Sequence, residues 1–384
     1  MHTDTRRRVM VIFGTRPEAI KLAPVVLALQ QAAAFEPVVA VTGQHREMLD
    51  QVLDTFGIVP ARDLNIISDR QTLTDVTVRA LERLTPAIEE ERPDAIIVQG
   101  DTTTTFVGAL AAFYHRVPVV HVEAGLRTDD RYSPYPEEMN RRLTTQLTSL
   151  HLAPTRAAKR NLLREGVEES IVVTGNTGID ALLWTVAHDA ADDQALDAIG
   201  VDKRIVLVTA HRRESWGPRL EAVGRAVATI ARTDPDIQIV FPIHRNPHVR
   251  EAIAPAVDGL SNVRLLEPLS YAPFAGLMRR AHLILTDSGG IQEEGPSLGK
   301  PVLVMRDTTE RPEAIAAGTA RLVGTDETAI VSAVHTLLHD DAAYERMATA
   351  VNPFGDGQAA RRTVDALLHF FGEAPPAEEF TGGD

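Results

Sequence analysis

The chain contains no cysteine. Disulfide bonds, thiolate catalysis and cysteine-ligated zinc are therefore excluded. Long apolar runs are missing too. The stretch VMVIFG near the start meets polar GTRPE within a few residues, too short for the apolar core of a signal peptide. No run approaches the ~20 residues needed to span a bilayer, so a soluble cytoplasmic protein is expected. Positive charge is in short supply: 39 basic residues face 53 acidic ones, for a net charge of −14. A general electrostatic footprint for nucleic acid is excluded, and an anionic ligand would need a local cluster of cations. The turn after the first apolar run lacks GxGxxG, which argues against a classical NAD site.

What is present suits two domains. The length of 384 residues exceeds one typical domain, and 44% hydrophobic residues supply ample cores. Short apolar, β-branched runs recur at Val9–Phe13, Val38–Thr42, Ala95–Gln99, Val117–Val122, Leu150–Ala153 and Ile171–Thr174, then at Ile205–Thr209, Ile237–Pro242, Val263–Leu266, Leu283–Thr286, Val302–Met305 and Ala320–Val323. Runs that are apolar throughout suit parallel strands covered on both faces. Their alternation with helical stretches predicts two Rossmann-like doubly wound α/β domains. The turn-forming GNTGID sequence places the boundary near residue 175, giving an N-terminal domain over 1–175 and a C-terminal domain over 176–355. An amphipathic helix follows NPFGDGQA, over 356–371, and the tail 372–384 reads as disordered.

Ligands of doubly wound sheets bind beyond the carboxyl ends of the strands, so the polar residues after each run matter most. After the first run, GTRPEAIKLAP places Arg16 and Lys21 near a helix start, where cations are unfavourable unless an anion faces them. Asp101 follows the third run in QGDTTTT, where it could equally be a plain helix cap. The fourth run leads into HVEAGLRTDDRYSPYPEEMNRR, which gathers Glu123, Arg127, Glu137 and Glu138. Such a stretch is either a solvated loop or one wall of an active site. In the second half, VTAHRRES supplies His211, Arg212 and Arg213, and FPIHRNP supplies His244. The strongest local signal is LILTDSGGIQEEGPSLGKP: Ser288, Gly289 and Gly290 turn a strand directly into a helix, the arrangement that receives a phosphate. Glu293 and Glu294 lie in that first helical turn; one suits the helix dipole, the other could take sugar hydroxyls.

Together FGTRPEAIKLAP, TGQHREML, QGDTTT, HVEAGLRT, YSPYPEEMNRR, TAHRRES, TDSGGIQEEGPSLGKPVLVMRDTTERPEA and NPFGDGQA closely resemble the blocks of the non-hydrolysing UDP-N-acetylglucosamine 2-epimerases, in the same order, over residues 13 to about 360. The resemblance implies the glycosyltransferase-B architecture, with two Rossmann-like domains facing a central cleft and the last helix packing back on the first domain. It implies reversible interconversion of UDP-N-acetylglucosamine and UDP-N-acetylmannosamine, for bacterial surface polysaccharide, without NAD or an obligatory metal. It assigns acid–base work to Asp101, Glu123 and Glu137, with His211 as the important histidine. It assigns substrate contacts to Arg16, Lys21, Ser288, Gly289, Gly290 and Glu294, and with less specificity to Arg212, Arg213, His244 and Phe274. A second UDP-N-acetylglucosamine, acting as activator, would meet Gln44, His45, Arg70 and Glu138; Glu47 departs there from the glutamine expected. A homodimer is implied. The rival readings are an epimerase of another UDP-2-acetamido sugar, a glycosyltransferase on the same scaffold, and a non-catalytic UDP-sugar-binding protein.

Overall fold

A computed structural model of the chain describes residues 6–43, 46–68, 71–188, 203–212 and 215–382. The chain forms two compact units, one comprising residues 1–181 and 354–381, the other residues 182–353. The boundary falls inside a helix, Thr177–His188, a few residues beyond the turn that the sequence suggested.

Unit 1 runs β1 (Arg7–Phe13), α1 (Arg16–Gln31), β2 (Phe35–Val41), α2 (Arg46–Phe56), β3 (Arg62–Asp63), α3 (Leu73–Glu91), β4 (Ala95–Gln99), α4 (Thr103–Tyr114), β5 (Val119–Val122), α5 (Glu137–Leu147), β6 (Leu150–Ala153), α6 (Arg156–Arg164), β7 (Ile171–Val173) and the start of α7 (Thr177–His188). Its seven strands are all parallel in the order β3-β2-β1-β4-β5-β6-β7. The two-residue β3 has no apolar run to announce it. It exists because Ala40 and Val41 of β2 offer it an edge.

Unit 2 runs β8 (Arg204–Thr209), α8 (Pro218–Thr233), β9 (Ile237–Pro242), α9 (Pro247–Val257), β10 (Val263–Leu266), α10 (Tyr271–Arg280), β11 (Ala281–Thr286), α11 (Gly289–Ser297), β12 (Val302–Val304), α12 (Pro312–Ala316), β13 (Ala320–Leu322), α13 (Glu327–His339) and α14 (Asp341–Ala348). Its sheet is parallel in the order β10-β9-β8-β11-β12-β13. Both sheets thus reverse their winding between the first and fourth strands, and each has a topological switch point there.

The cores explain the continuous apolar runs. In β8, Val206 and Val208 enter one cluster with Ile239, Phe241, Leu283 and Leu285. Ile205 and Leu207 enter another, on the opposite face, with Val240 and Ile284. A strand covered on both faces has no solvent side to mark with polar residues. Each such side chain contributes roughly 1.5–3 kcal/mol on burial. In unit 1, β1 and β4 are buried almost throughout, with Met10, Ile12, Ile96 and Val98 in one shared cluster. Among the described residues no helix is long and apolar enough to cross a membrane.

Helix α15 (Ala359–Phe370) belongs to unit 1. Its first turn is held by Asp180, whose Oδ1 accepts the Ala360 N–H at 2.8 Å. The expected disorder of the tail does not hold for residues 372–382. The Phe380 N–H donates to the Val173 carbonyl at 2.7 Å, and its ring is buried beneath the Arg362 guanidinium. Glu379 pairs with Lys159 at 2.7 Å. The Pro-, Glu- and Gly-rich composition favours disorder, but one aromatic anchor at the exposed edge strand β7 overrides it.

Candidate active site

In unit 1 the polar residues gather at the switch point. The chain leaves β1 through Gly14 and Thr15 into α1. Glu18 is buried there and accepts from the backbone N–H of Gly14 and Thr15 and from the hydroxyls of Thr15, Thr102 and Thr105, at 2.7–3.2 Å. Burial pushes its carboxyl above the ordinary glutamate value despite these donors. One side chain thereby ties the turn after β1 to the turn after β4. Gly14 has no room for a side chain, since a Cβ would lie 2.0 Å from Thr42 Oγ1. Arg16 opens α1 and is exposed; Lys21 lies one turn further and pairs with Glu123.

Glu123 follows β5 in a left-handed conformation, φ +65°. That conformation costs a non-glycine residue roughly 1 kcal/mol or more, and persists only where the surroundings enforce it. Here they do: Lys21 Nζ takes one carboxylate oxygen, and Gln99 Nε2 takes the other. The Glu123 carboxylate also borders Gly100, whose Cβ position lies 3.5 Å from Oε2. His121 supports the same turn. Its Nε2 lies 2.8 Å from the Gly100 carbonyl, which can only accept, so Nε2 carries the proton. Burial lowers the His121 pKa to about 3 and keeps the ring neutral.

Asp101 continues from Gly100. Its carboxylate accepts from Arg141 Nε at 2.9 Å, and its carbonyl from the Asn140 amide at 2.9 Å. Both donors belong to α5, the helix that Glu137 begins, so Glu137 stands one turn before the arginine that holds Asp101. Glu137 Oε2 is buried with no hydrogen-bond partner among the described residues. Its neighbour Glu138 is entirely enclosed, at 0% exposure. Glu138 accepts from Thr128 N–H at 3.1 Å, Arg141 at 3.2 Å and Arg142 at 2.9 Å. Arg127 holds Glu165 in a two-pronged pair at 2.6 and 2.8 Å, and its hydrogen bonds outweigh burial and leave the Glu165 carboxyl below its ordinary value. Within the charged stretch of residues 121–142, Arg127, Arg141 and Arg142 are therefore internal braces.

In unit 2 the switch point lies between β8 and β11. Asp287 follows β11 and is buried. Oδ2 accepts the backbone N–H of His211 at 2.8 Å and of Arg212 at 2.9 Å. Oδ1 lies 2.9 Å from His211 Nδ1. Burial alone would raise Asp287, but the His211 ring and the two backbone donors outweigh it and hold the carboxyl below the ordinary aspartate value. His244 stacks on His211 with centroids 6.2 Å apart, and its Nδ1 accepts the Asn246 N–H at 3.1 Å.

Ser288 caps α11 without spending its hydroxyl on the helix. Gly289 faces two guanidinium groups: its Cβ position lies 3.6 Å from Arg311 Cζ and 3.7 Å from an Arg212 terminal nitrogen. No described residue comes within 4 Å of the Cβ position of Gly290. Arg311 donates to Glu293 at 2.6 Å, and Arg306 and Arg212 both reach Glu310. Arg306 leads the causes that bring Glu310 down to about 2. Backbone N–H groups at a helix start, flanked by two arginines, form an anion-receiving corner. Glu294 is half-buried in α11, and Phe274 is half-buried against the cluster of Leu182, Ile205 and Val240.

Asp101, Glu123, Glu137 and Lys21 thus converge in unit 1, and His211, Arg212, His244, Ser288, Gly289 and Gly290 in unit 2. Gln44, His45, Arg70 and Arg213 lie outside the described residues. Sequence reasoning missed Glu18, Gln99, Asp287 and Arg311. A buried acid in GTRPE and an acid directly after the β11 run were the available signals; Arg311 comes from the loop after β12, too far along the chain to show.

Paired doubly wound units, with a glycine-lined, arginine-flanked helix start in one of them, define the class of α/β proteins that hold phosphorylated ligands at a switch point. The sequence pattern of UDP-N-acetylglucosamine 2-epimerases matches residues 27–368. The chain is 56% identical over 368 residues to the UDP-N-acetylglucosamine 2-epimerase of Escherichia coli, covering 94% of this chain and 98% of that one. To the Bacillus subtilis UDP-N-acetylglucosamine 2-epimerase it is 52% identical over 379 residues, covering 98% and 99%. The crystal structure of the Neisseria meningitidis UDP-GlcNAc 2-epimerase bound to UDP-GlcNAc superposes with a TM-score of 0.83 at 48% identity, covering 94% of this chain and 100% of that one. The chain belongs to the UDP-N-acetylglucosamine 2-epimerase family.

Proposed function

We propose that the chain inverts C2 of UDP-N-acetylglucosamine, giving UDP-N-acetylmannosamine, by eliminating and re-adding UDP. The C2 hydrogen is not adjacent to a carbonyl, so it cannot be removed through an enolate. Departure of UDP with the C1–O bonding electrons builds positive charge at C1. A carboxylate base then takes the C2 proton, leaving 2-acetamidoglucal. Delivery of a proton to the opposite face of C2, with return of the UDP oxygen to C1, completes the inversion. NAD and a metal have no part in this scheme.

The observation that carries this reading is the set of three carboxylates beyond the carboxyl ends of β4 and β5: Glu123 clamped by Lys21 and Gln99, Asp101 held by Arg141, and Glu137 with a buried oxygen unpartnered among the described residues. A binding protein has no need of three. Glu123, Asp101 and Glu137 move the protons; Lys21 and Arg16 supply cations to the departing diphosphate. Ser288, Gly289, Gly290, Arg212 and Arg311 hold the diphosphate, with Arg213 joining them from its segment. Glu294 takes the ribose hydroxyls, Phe274 packs on uracil, and His211 and His244 line the site. An activating second UDP-N-acetylglucosamine rests on the resemblance at Gln44, His45 and Arg70. A homodimer is supported by the exposed aromatic rings of Phe113 and Tyr114 at the end of α4. A cytoplasmic location and a role in surface polysaccharide supply complete the reading.

Incubation with UDP-N-acetylglucosamine in D2O, followed by NMR, tests it. UDP-N-acetylmannosamine with deuterium at C2 is expected. Absence of both product and exchange at high enzyme sinks the reading; early free N-acetylmannosamine makes the enzyme a hydrolysing one. Reverse-direction rates independent of added UDP-N-acetylglucosamine remove the activator.

A further inference from the structure

We propose that Asp234, His335 and His339, outside the site described above, bind one divalent transition-metal ion of the zinc or cobalt type. Asp234 is the residue at which α8 ends; His335 and His339 stand one turn apart on α13. The i, i+4 spacing puts both rings on one helix face, and they stack with centroids 5.5 Å apart. Both turn the same atom toward the carboxylate: His335 Nε2 lies 3.2 Å from Oδ2 and His339 Nε2 2.7 Å from Oδ1. One donor atom from each residue falls within 4.8 Å of the others, so small side-chain adjustments leave room among them for an ion about 2.0–2.2 Å from each donor, as in zinc coordination.

The surroundings suit an ion better than a chance contact. The carboxylate is only 7% exposed, while the rings above it are 33% and 57% exposed. The anion is thus fixed and buried, with an open path to solvent and room for water ligands. Outer partners orient it: the Thr233 hydroxyl lies 3.0 Å from Oδ2, and the buried Asn262 amide donates to the Asp234 carbonyl. Two imidazoles and one carboxylate match borderline metals, whereas calcium and magnesium want more oxygens. An ion there would pin the end of α8 to α13, whose apolar faces share the cluster of Val223, Val227, Ile330 and Val334.

Tag-free full-length protein, stripped with chelator, is titrated with Co2+ and then Zn2+. Expected are one ion per chain, the visible absorption of a low-coordinate Co2+, and its displacement by Zn2+. His335→Ala and His339→Ala should each weaken binding at least about tenfold, the loss that even an outer-shell change brings. His339→Ala should leave epimerase activity unchanged, and His244→Ala should leave the binding unchanged. Zn2+ should raise the thermal midpoint of the wild type and not of His339→Ala. Failure to bind either ion at about 1 mM, or binding that survives in the doubly substituted His335→Ala, His339→Ala chain, overturns the proposal and leaves a simple hydrogen-bonded triad.

Discussion

Asp287 holds His211 at two points and Arg212 at a third: it accepts the His211 backbone N–H at 2.8 Å, lies 2.9 Å from the ring Nδ1, and takes the Arg212 N–H at 2.9 Å. The aspartate is 2% exposed and the imidazole 46% exposed, so a buried anion presents a solvent-facing ring. With Nδ1 turned to the carboxylate, Nε2 is the ring nitrogen left for chemistry, and His244 stacks on the same ring. Asp287→Asn should therefore lower turnover by about 10²-fold, at the low end of acid–base contributions, while UDP affinity changes by only a few-fold. Steady-state kinetics and calorimetry separate the two. The Asp287 carboxyl is depressed in the folded state, so its contribution to stability is present above about pH 3.9 and lost as pH falls through the folded value. Urea unfolding near pH 7 should show the asparagine variant less stable, with the difference shrinking in acid.

Glu123 is clamped by a cation and an amide in a left-handed backbone conformation. Glu123→Gln keeps the shape and removes the base. Turnover should fall by about 10²–10⁴-fold, with UDP binding within a few-fold of the wild type. Unimpaired deuterium exchange at C2 would remove Glu123 from proton transfer.

Among the described residues nothing lies within 4 Å of the Gly290 Cβ position, so Gly290→Ala makes no clash with them. Alanine also favours a helix over glycine by about 0.5–1 kcal/mol. Stability should stay level or rise. If a diphosphate approaches the α11 backbone, the new methyl should weaken UDP binding by about tenfold, or about 1.4 kcal/mol. Unchanged UDP affinity in calorimetry would move the anion away from this turn.

Asp180 is buried, with Oδ1 on the Ala360 N–H and Oδ2 without a hydrogen-bond partner among the described residues. Burial raises its pKa to about 6 from the ordinary 3.8. The sign here is opposite to that of Asp287: the folded chain holds the proton more tightly than the unfolded chain, so this group destabilises progressively as pH rises from about 4 to about 6. Asp180→Asn should abolish that decline and leave the protein at least as stable at pH 7, as thermal unfolding across this range reads out.

Much was legible along the chain. The six apolar runs of each half appear as strands, and in the central ones burial on both faces forces continuous hydrophobicity. The SGG turn, Asp101 and Glu123 could be found because doubly wound folds place ligand chemistry directly after strands. Less legible were residues whose partners lie far off in sequence. Glu18 reads as an ordinary helix-start acid, yet it receives hydroxyls from residues more than 80 positions away. Glu138 resembles its neighbour Glu137 in every local respect, but one is sealed among two arginines and a backbone N–H while the other keeps a buried oxygen unpartnered. The tail follows the same rule: its composition favours disorder, and one aromatic residue on the edge of β7 decides against it.

By itself the sequence determined the parallel α/β class, the absence of thiol chemistry and the positions where strands deliver polar residues, because these depend on composition and local periodicity; the family was legible through the resemblance of its long motif blocks. Only the tertiary structure decided which charges are braces and which face open space. It also decided that Lys21 and Gln99 share Glu123, that Asp287 governs His211, and that two histidines of one helix meet an aspartate about a hundred residues earlier. Those are Coulombic and hydrogen-bonding relations between distant segments, and they exist only once the backbone has folded them to within about 3 Å.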